Sequence, residues 1–223
     1  MLKVSDSWRE KVPGACVGCM VVEQVANPAQ CEQLDEQKGQ LEAELRKTYT
    51  SREKIAELAT MQAYQRYYKQ FGKNYHVLAQ LESVAVKGKP IPQVAALVEA
   101  MFMAELKNGL LTAGHDYEAL RLPLTMAVAT GAESYEMMNG KVQAAKAGDM
   151  AIADSAGIIS SVLHGPDSRT RIVPTTRKAV FIIYAPPGIA PKSVLAHLSD
   201  VYFYIKLISP EAVIELQKVY PDK

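Results

Sequence analysis

The chain has 223 residues, of which 48% are hydrophobic and 22% are charged, and its formal net charge is +1. This composition is that of a globular protein long enough to bury a core, and we expect one domain covering residues 1–223. No apolar run reaches the roughly 18 residues of a membrane helix, and the charged start MLKVSDSWRE does not suit a signal peptide. We therefore expect a cytoplasmic protein. The near-neutral charge does not by itself indicate nucleic-acid binding, although a local basic patch could still contact RNA.

The three cysteines do not form a redox or metal motif. Cys16 and Cys19 form a CxxC within GACVGCMVVEQV, whereas a reactive pair normally lies at a helix N-terminus. The apolar neighbours predict a strand over residues 15–23 with buried structural thiols. Neither a second CxxC nor a histidine pair follows at zinc spacing, so we expect no metal.

The first half of the chain is predicted to be mainly helical. The stretch from Pro28 to Lys47 has leucines at near-heptad spacing, and Thr50 or Ser51 can cap a second helix that ends at Gly72. Two further helices are predicted, over residues 77–86 and from Ile91-Pro92 to about Asn108. Together, residues 28–88 would form a helical leader to a core over residues 91–220.

The tyrosine-rich run AYQRYYKQFGKNY mixes aromatic side chains with Arg66, Lys69 and Lys73. Such a mixture can stack nucleic-acid bases beside cations. It is equally typical of a helix whose aromatic face packs and whose basic face meets water, and we favour that interpretation.

After Gly109 the pattern changes to short apolar or alternating runs separated by glycine, proline and acidic turns. These runs predict strands over residues 122–129, 149–153, 156–163 and 178–184. A helix from about Pro191 to Leu207 follows. Ser209-Pro210-Glu211 then predicts the start of a final helix to about Tyr220.

Two segments together resemble a known family. The first is IPQVAALVEAMFMAELKNGLLTAGHDYEAL, residues 91–120, with its proline-started helix, Gly109 and a turn at Ala113-Gly114-His115-Asp116. The second is AGDMAIADSAGIISSVLHGPDSRTRIVPTTRKAVFIIYAPPG, residues 147–188, with a strand, an acidic turn, a strand, a basic loop and a strand. In order and spacing they are similar to the B3/B4 domain of the bacterial phenylalanyl-tRNA synthetase β subunit and its free-standing relatives.

The resemblance implies an α/β (α+β) fold with a mixed, mainly antiparallel sheet flanked by helices and a pocket at one end of the sheet. In the synthetase, this domain hydrolyses tRNA wrongly charged with tyrosine, by positioning the ester and a water. Ala113 stands where the synthetase has a histidine, and Tyr184 stands about where it has a glutamate tied to recognising the tyrosine hydroxyl. The resemblance therefore implies the same fold with a re-specified pocket.

His115 and Asp116 are the candidate catalytic pair. A histidine beside a carboxylate can act as a general base or orient a water. The alternative is that Asp116 caps the next turn and His115 merely points outward to solvent. Candidate substrate-binding residues are Ser161 and Thr176, whose short hydroxyls can hold a water or a substrate amine, together with Tyr184.

The densest basic patch consists of Arg169, Arg171, Arg177 and Lys178. Four cations could contact a tRNA phosphate backbone. Alternatively, Arg169 and Arg171 pair with Asp154 and Asp167 at the surface.

Three functions remain open from the sequence. The chain could be a trans-editing hydrolase of mischarged aminoacyl-tRNA, a non-catalytic tRNA- or RNA-binding protein, or a binder of a small amino-acid-like ligand. No Gly-x-Ser-x-Gly or GxxxxGK motif is present, so we expect neither a serine hydrolase nor a synthetase, and no cofactor.

Overall fold

The computed structural model describes residues 1–221. Its helices are α1 (Asp6–Lys11), α2 (Glu32–Thr48), α3 (Arg52–Ala56), α4 (Ala59–Lys69), α5 (His76–Ala85), α6 (Ala96–Asn108) and α7 (Pro191–Ile208). Its strands are β1 (Leu2–Val4), β2 (Cys16–Glu23), β3 (Thr112–Asp116), β4 (Leu124–Val128), β5 (Ser134–Glu136), β6 (Val142–Ala144), β7 (Met150–Asp154), β8 (Gly157–Ser161), β9 (Gly165–Pro166), β10 (Lys178–Ala185) and β11 (Val213–Pro221).

A four-stranded antiparallel sheet with the order β11-β2-β10-β3 lies at the centre of the core. Its middle strands read CVGCMVVE and KAVFIIYA, and nearly all of their residues are buried. Such continuous apolar runs are typical of strands covered on both faces. Helix α7 packs against β2 and β10, and α6 packs against α7 and β3.

A second sheet has the order β1-β4-β7-β8-β9. Strand β1 runs parallel to β4, whereas the other neighbours are antiparallel. A hairpin of β5 and β6 stands apart, and Met137 just after β5 forms a bridge with Asp167 beyond β9. The predicted α/β fold with mainly antiparallel sheets flanked by helices is confirmed.

The burial of the first two cysteines also agrees with the prediction. Cys16 and Cys19 lie in the central strand β2 and are buried. Burial raises the pKa of the Cys19 thiol to about 12, which keeps it protonated and unreactive at neutral pH.

The predicted final helix was wrong. Residues Val213–Pro221 instead form strand β11, which pairs antiparallel with β2 apart from a bulge between Ile214 and Leu216. The outer edge of β2 would otherwise present unpaired backbone N–H and C=O groups. Satisfying that edge outweighs the local helix signal of Ser209-Pro210-Glu211.

Three element boundaries also differ from the prediction. The helix predicted to follow Ser51 is two helices, α3 and α4, and α6 begins at Ala96 rather than at Pro92. The turn predicted at Ala113–Asp116 is part of strand β3, because it pairs with the edge of β10. No helix within residues 1–221 combines the length and apolarity needed to cross a bilayer.

Candidate functional site

A cavity of about 580 Å³ lies between helix α6, strand β3 and the turn that follows β8. Its volume is in the range of pockets that bind small molecules. Its wall is mostly apolar, with a few polar groups. The polar or ionisable side chains in its lining include those of Lys73, His76, Glu105, Ser160, Ser161, His164, Arg171 and Tyr184.

Two hydroxyl groups in the cavity wall have no hydrogen-bond partner among the described residues other than each other. Tyr184, on central strand β10, and Ser160, on β8, are each 1% exposed. Neither hydroxyl oxygen makes a hydrogen bond of normal geometry among residues 1–221, although the two lie close enough to interact. Burial raises the pKa of Tyr184, so its hydroxyl stays protonated and can donate. Because unpartnered buried hydroxyls cost free energy, a polar group of a ligand here would recover that cost.

Ser161 lines the same cavity, but its hydroxyl has partners. Its oxygen lies 3.2 Å from the Tyr135 hydroxyl and accepts a 3.2 Å hydrogen bond from the backbone N–H of His164. The Tyr135 hydroxyl also donates to the carbonyl of Gly165 at 2.9 Å. Ser161 therefore shapes the turn that forms one wall of the cavity.

Tyrosines of α4 hold that wall in place. The Tyr67 hydroxyl donates to Oδ1 of Asp149 at 2.7 Å, and Oδ2 of Asp149 accepts from the N–H of Leu163 at 3.1 Å. The Tyr68 hydroxyl donates to the carbonyl of Val162 at 2.6 Å. Burial raises the pKa of Asp149 to about 6. The aromatic side chains of the tyrosine-rich run thus pack inward, as the favoured interpretation predicted.

Glu105, on α6, is a buried carboxyl group in the cavity lining, and it is 3% exposed. Its Oε1 accepts a 2.7 Å hydrogen bond from the N–H of Thr112. Burial raises its pKa to about 8. Sequence reasoning missed this residue, although an acid within the apolar run AMFMAEL was a usable signal.

Basic side chains stand at the entrance. Lys73 and Arg171 line the cavity and are solvent-exposed. Arg171 Nη1 donates to the carbonyl of Ser168 at 2.7 Å. His164 is half-buried, and burial lowers its pKa, so it is mainly neutral at pH 7. The entrance therefore favours an anionic group over a cationic one.

His115, Asp116 and Thr176 are buried and lie outside the cavity lining. The His115 ring is fully buried, and its Nδ1 lies 2.7 Å from Oγ1 of Thr170. Burial lowers the pKa of His115 to about 4. Asp116 accepts from the Thr176 hydroxyl at 2.6 Å and from the N–H of Glu118 at 2.9 Å, which caps the following turn.

The structure thus brings Ser161 and Tyr184 together at the cavity and keeps the other three predicted residues apart from it. A catalytic role for His115 and Asp116, and a substrate-binding role for Thr176, stay predictions.

Carboxylates already pair with two of the four residues of the predicted basic patch. Arg169 lies 2.9 Å from Asp154 and 3.6 Å from Asp167, and Lys178 pairs with Glu23 and Glu215. Arg177 donates to backbone carbonyls, as Arg171 does. RNA contact by this patch stays a prediction. Among residues 1–221, no group of three or more His, Cys, Asp or Glu side chains is arranged to hold a metal ion.

No family model matches the chain, and no curated protein matches its sequence. Its fold is similar to the crystal structure of an N-terminal fragment of the phenylalanyl-tRNA synthetase β subunit from Pyrococcus horikoshii, with a TM-score of 0.54. The likeness is one of fold. Sequence identity is 10%, and the match covers 99% of this chain and 54% of that fragment, so this chain spans about half its length. This similarity of fold supports the α/β fold that the B3/B4 resemblance implied.

Proposed function

We propose that the cavity binds the aminoacyl group of an aminoacyl-tRNA, and that a water positioned there hydrolyses the ester. The observation that carries the proposal is the pair of unpartnered hydroxyls of Tyr184 and Ser160 in an otherwise apolar cavity. An apolar wall with a few fixed polar groups suits an amino-acid side chain, because the wall buries it and the hydroxyls orient its polar end.

The entrance suits the nucleic-acid part of such a ligand. Lys73 and Arg171 are exposed there and lack a carboxylate within ion-pair distance among residues 1–221. Both can therefore approach the phosphates next to the ester. The fold likeness to a fragment of a tRNA synthetase subunit is consistent with this ligand.

Hydrolysis in this cavity would use water rather than a protein nucleophile. The Ser161 hydroxyl is already engaged by Tyr135, by the backbone N–H of His164 and by the Asp149 carboxyl group, which hold it in the turn. A water in the cavity would instead attack the ester carbonyl, yielding the free amino acid and the tRNA hydroxyl.

A second candidate is binding of a small amino-acid-like ligand without RNA. The ion pairs of Arg169 and Lys178 favour it, because they neutralise half of the basic patch. In this case free amino acids would raise the melting temperature, since a ligand selective for the folded state stabilises it.

Tyr184→Phe tests the proposed site. It removes the unpartnered hydroxyl and keeps the ring, so we expect an unchanged or raised melting temperature. Turnover of a mischarged tRNA should fall about 10-fold or more, because one hydrogen bond to the ligand is lost. The measurement is deacylation of a set of mischarged tRNAs.

The matched control is Tyr202→Phe on α7, whose hydroxyl bonds to the carbonyl of Ala212 outside the cavity. His115→Ala and Asp116→Ala, measured alongside, test the catalytic prediction for that pair. If aminoacyl-tRNA binds but is not hydrolysed, the hydrolytic part of the proposal is wrong and a binding function remains. If no aminoacyl-tRNA and no amino acid binds, the proposal is wrong.

A further inference from the structure

Glu105 is a buried acid with only one of its two carboxyl oxygens partnered among the described residues. It is 3% exposed, and its neighbours on α6 include the buried residues Met101, Ala104 and Leu106. One carboxyl oxygen, Oε1, accepts from the backbone N–H of Thr112. The bond to Thr112 is the hydrogen bond that Glu105 makes within residues 1–221, and its other oxygen, Oε2, has no partner there.

The position of Glu105 makes that second oxygen available to a ligand. Glu105 lines the large cavity and also a smaller one of about 190 Å³, and Gln80 and Phe102 border both. The carboxyl group therefore stands at the junction of two cavities. A carboxyl group in such a mostly buried place is stabilised by a hydrogen-bond donor or a cation, and among residues 1–221 Oε2 has neither.

Glu99, the other buried acid of α6, has a different environment. Glu99 is also 3% exposed, but it pairs with Lys38 at 2.9 Å and accepts from the N–H of Val94 at 2.6 Å. Both of its oxygens have partners inside the protein. The same helix thus carries one acid with a built-in cation and one without.

We propose that Glu105 binds the α-ammonium group of the aminoacyl ligand. This inference rests on the proposed function and specifies it further. Every aminoacyl ester carries that amine on the carbon next to the carbonyl, and the amine is largely protonated near neutral pH. An ammonium supplies both the donor that Oε2 lacks and the positive charge that a buried carboxylate needs.

The charges around Glu105 agree with this assignment. The titratable groups that interact with it are Tyr64, Tyr68 and Tyr75, and burial raises the pKa of each, so all are neutral.

The cations of the large cavity, Lys73 and Arg171, are exposed side chains of its lining and do not pair with Glu105. His76 and His164 also line it, and burial lowers the pKa of both. Without a cation, burial raises the pKa of Glu105 to about 8.

The test compares amino-acid amides that have a free α-ammonium with their N-acetyl derivatives, which lack it. Probes are the amides of phenylalanine, tyrosine, leucine and methionine, titrated calorimetrically into the full chain. We expect the free amides to bind at least about 10-fold more tightly than the acetylated ones, as for a hydrogen bond to a charged group. Glu105→Gln should abolish that preference while keeping the bond to Thr112.

Glu99→Gln is the matched control, because it changes a buried acid of the same helix outside the cavity. It should retain the preference for the free amine. Equal binding of free and acetylated amides by the unmodified chain overturns the assignment. Equal binding of aminoacyl-tRNA by Glu105→Gln and by the unmodified chain also overturns the assignment, but it does not contradict the proposed function. If the unmodified chain binds neither the amides nor any aminoacyl-tRNA, both proposals fail.

Discussion

Tyr67 joins three parts of the chain through one hydroxyl group. It donates to Asp149 at 2.7 Å and accepts from the N–H of Met150 at 2.6 Å. Asp149 in turn holds the N–H of Leu163, in the wall of the cavity. All of these groups are buried, so none can turn to water if the hydroxyl is removed.

Tyr67→Phe should therefore destabilise the fold more than the loss of a single surface hydrogen bond would. Two buried groups, the Asp149 carboxyl and the Met150 N–H, lose their partner, and we expect a cost of about 1–3 kcal/mol. Urea unfolding gives the difference in free energy. Tyr202→Phe serves as the comparison, and an equal effect of the two substitutions would contradict the importance of this bridge.

The packing of helix α7 on strand β2 depends on a residue without a side chain. A Cβ atom at Gly18 would lie 2.6 Å from Cγ1 of Val194 and 3.3 Å from Cδ1 of Leu198. Glycine at this position allows the helix to approach the sheet closely. The contact matters for the site because β2 pairs with β10, which carries Tyr184.

Gly18→Ala should destabilise the protein by about 1–3 kcal/mol, since overpacking a filled core displaces the helix. Gly39→Ala is the matched control at the surface of α2, where a Cβ atom meets no other atom within 4 Å. There, we expect a gain of about 0.5–1 kcal/mol from the higher helix propensity of alanine. Thermal and urea unfolding of both variants measure the signs, and a neutral Gly18→Ala would mean that α7 can shift freely.

At the scale of the whole molecule, positive and negative charges are nearly balanced in number. The chain carries 25 basic and 24 acidic residues. Arg169 and Lys178 are held by carboxylates, whereas Lys73, Arg171 and Arg177 have no carboxylate within ion-pair distance among residues 1–221. An RNA ligand that contacts the predicted basic patch and the cavity entrance would therefore meet three available cations, Lys73, Arg171 and Arg177.

This distribution predicts a weak salt dependence of tRNA binding. Three available cations correspond to a slope of about −3 in a plot of log affinity against log salt. Arg171→Ala should reduce the magnitude of that slope by about 1, whereas Arg169→Ala should change it little. Filter binding at a series of salt concentrations measures it. A steep slope that depends equally on Arg169 would show that the ion pairs open to bind RNA.

Part of the site could be foreseen from the sequence. Ser161 and Tyr184 were candidates, and both line the cavity, because strands β8 and β10 were predicted near their true limits. Glu105 and Ser160 were missed, since a helix acid or a strand serine acquires a role only when its environment is known. His115 seemed to lie in an open turn, but the pairing of β3 with β10 buries it.

The sequence by itself determined the fold class. The apolar runs of β2 and β10 predict strands, and the spacing of apolar residues in α2, α5 and α7 predicts helices, so local patterns suffice for these elements. Only the tertiary structure decided the state of residues 213–221, where an open strand edge outweighed a helix start signal. It also decided the site, because a cavity and its unpartnered hydroxyls arise from groups far apart in the chain. Burial and partners are properties of the packed molecule, and no local pattern contains them.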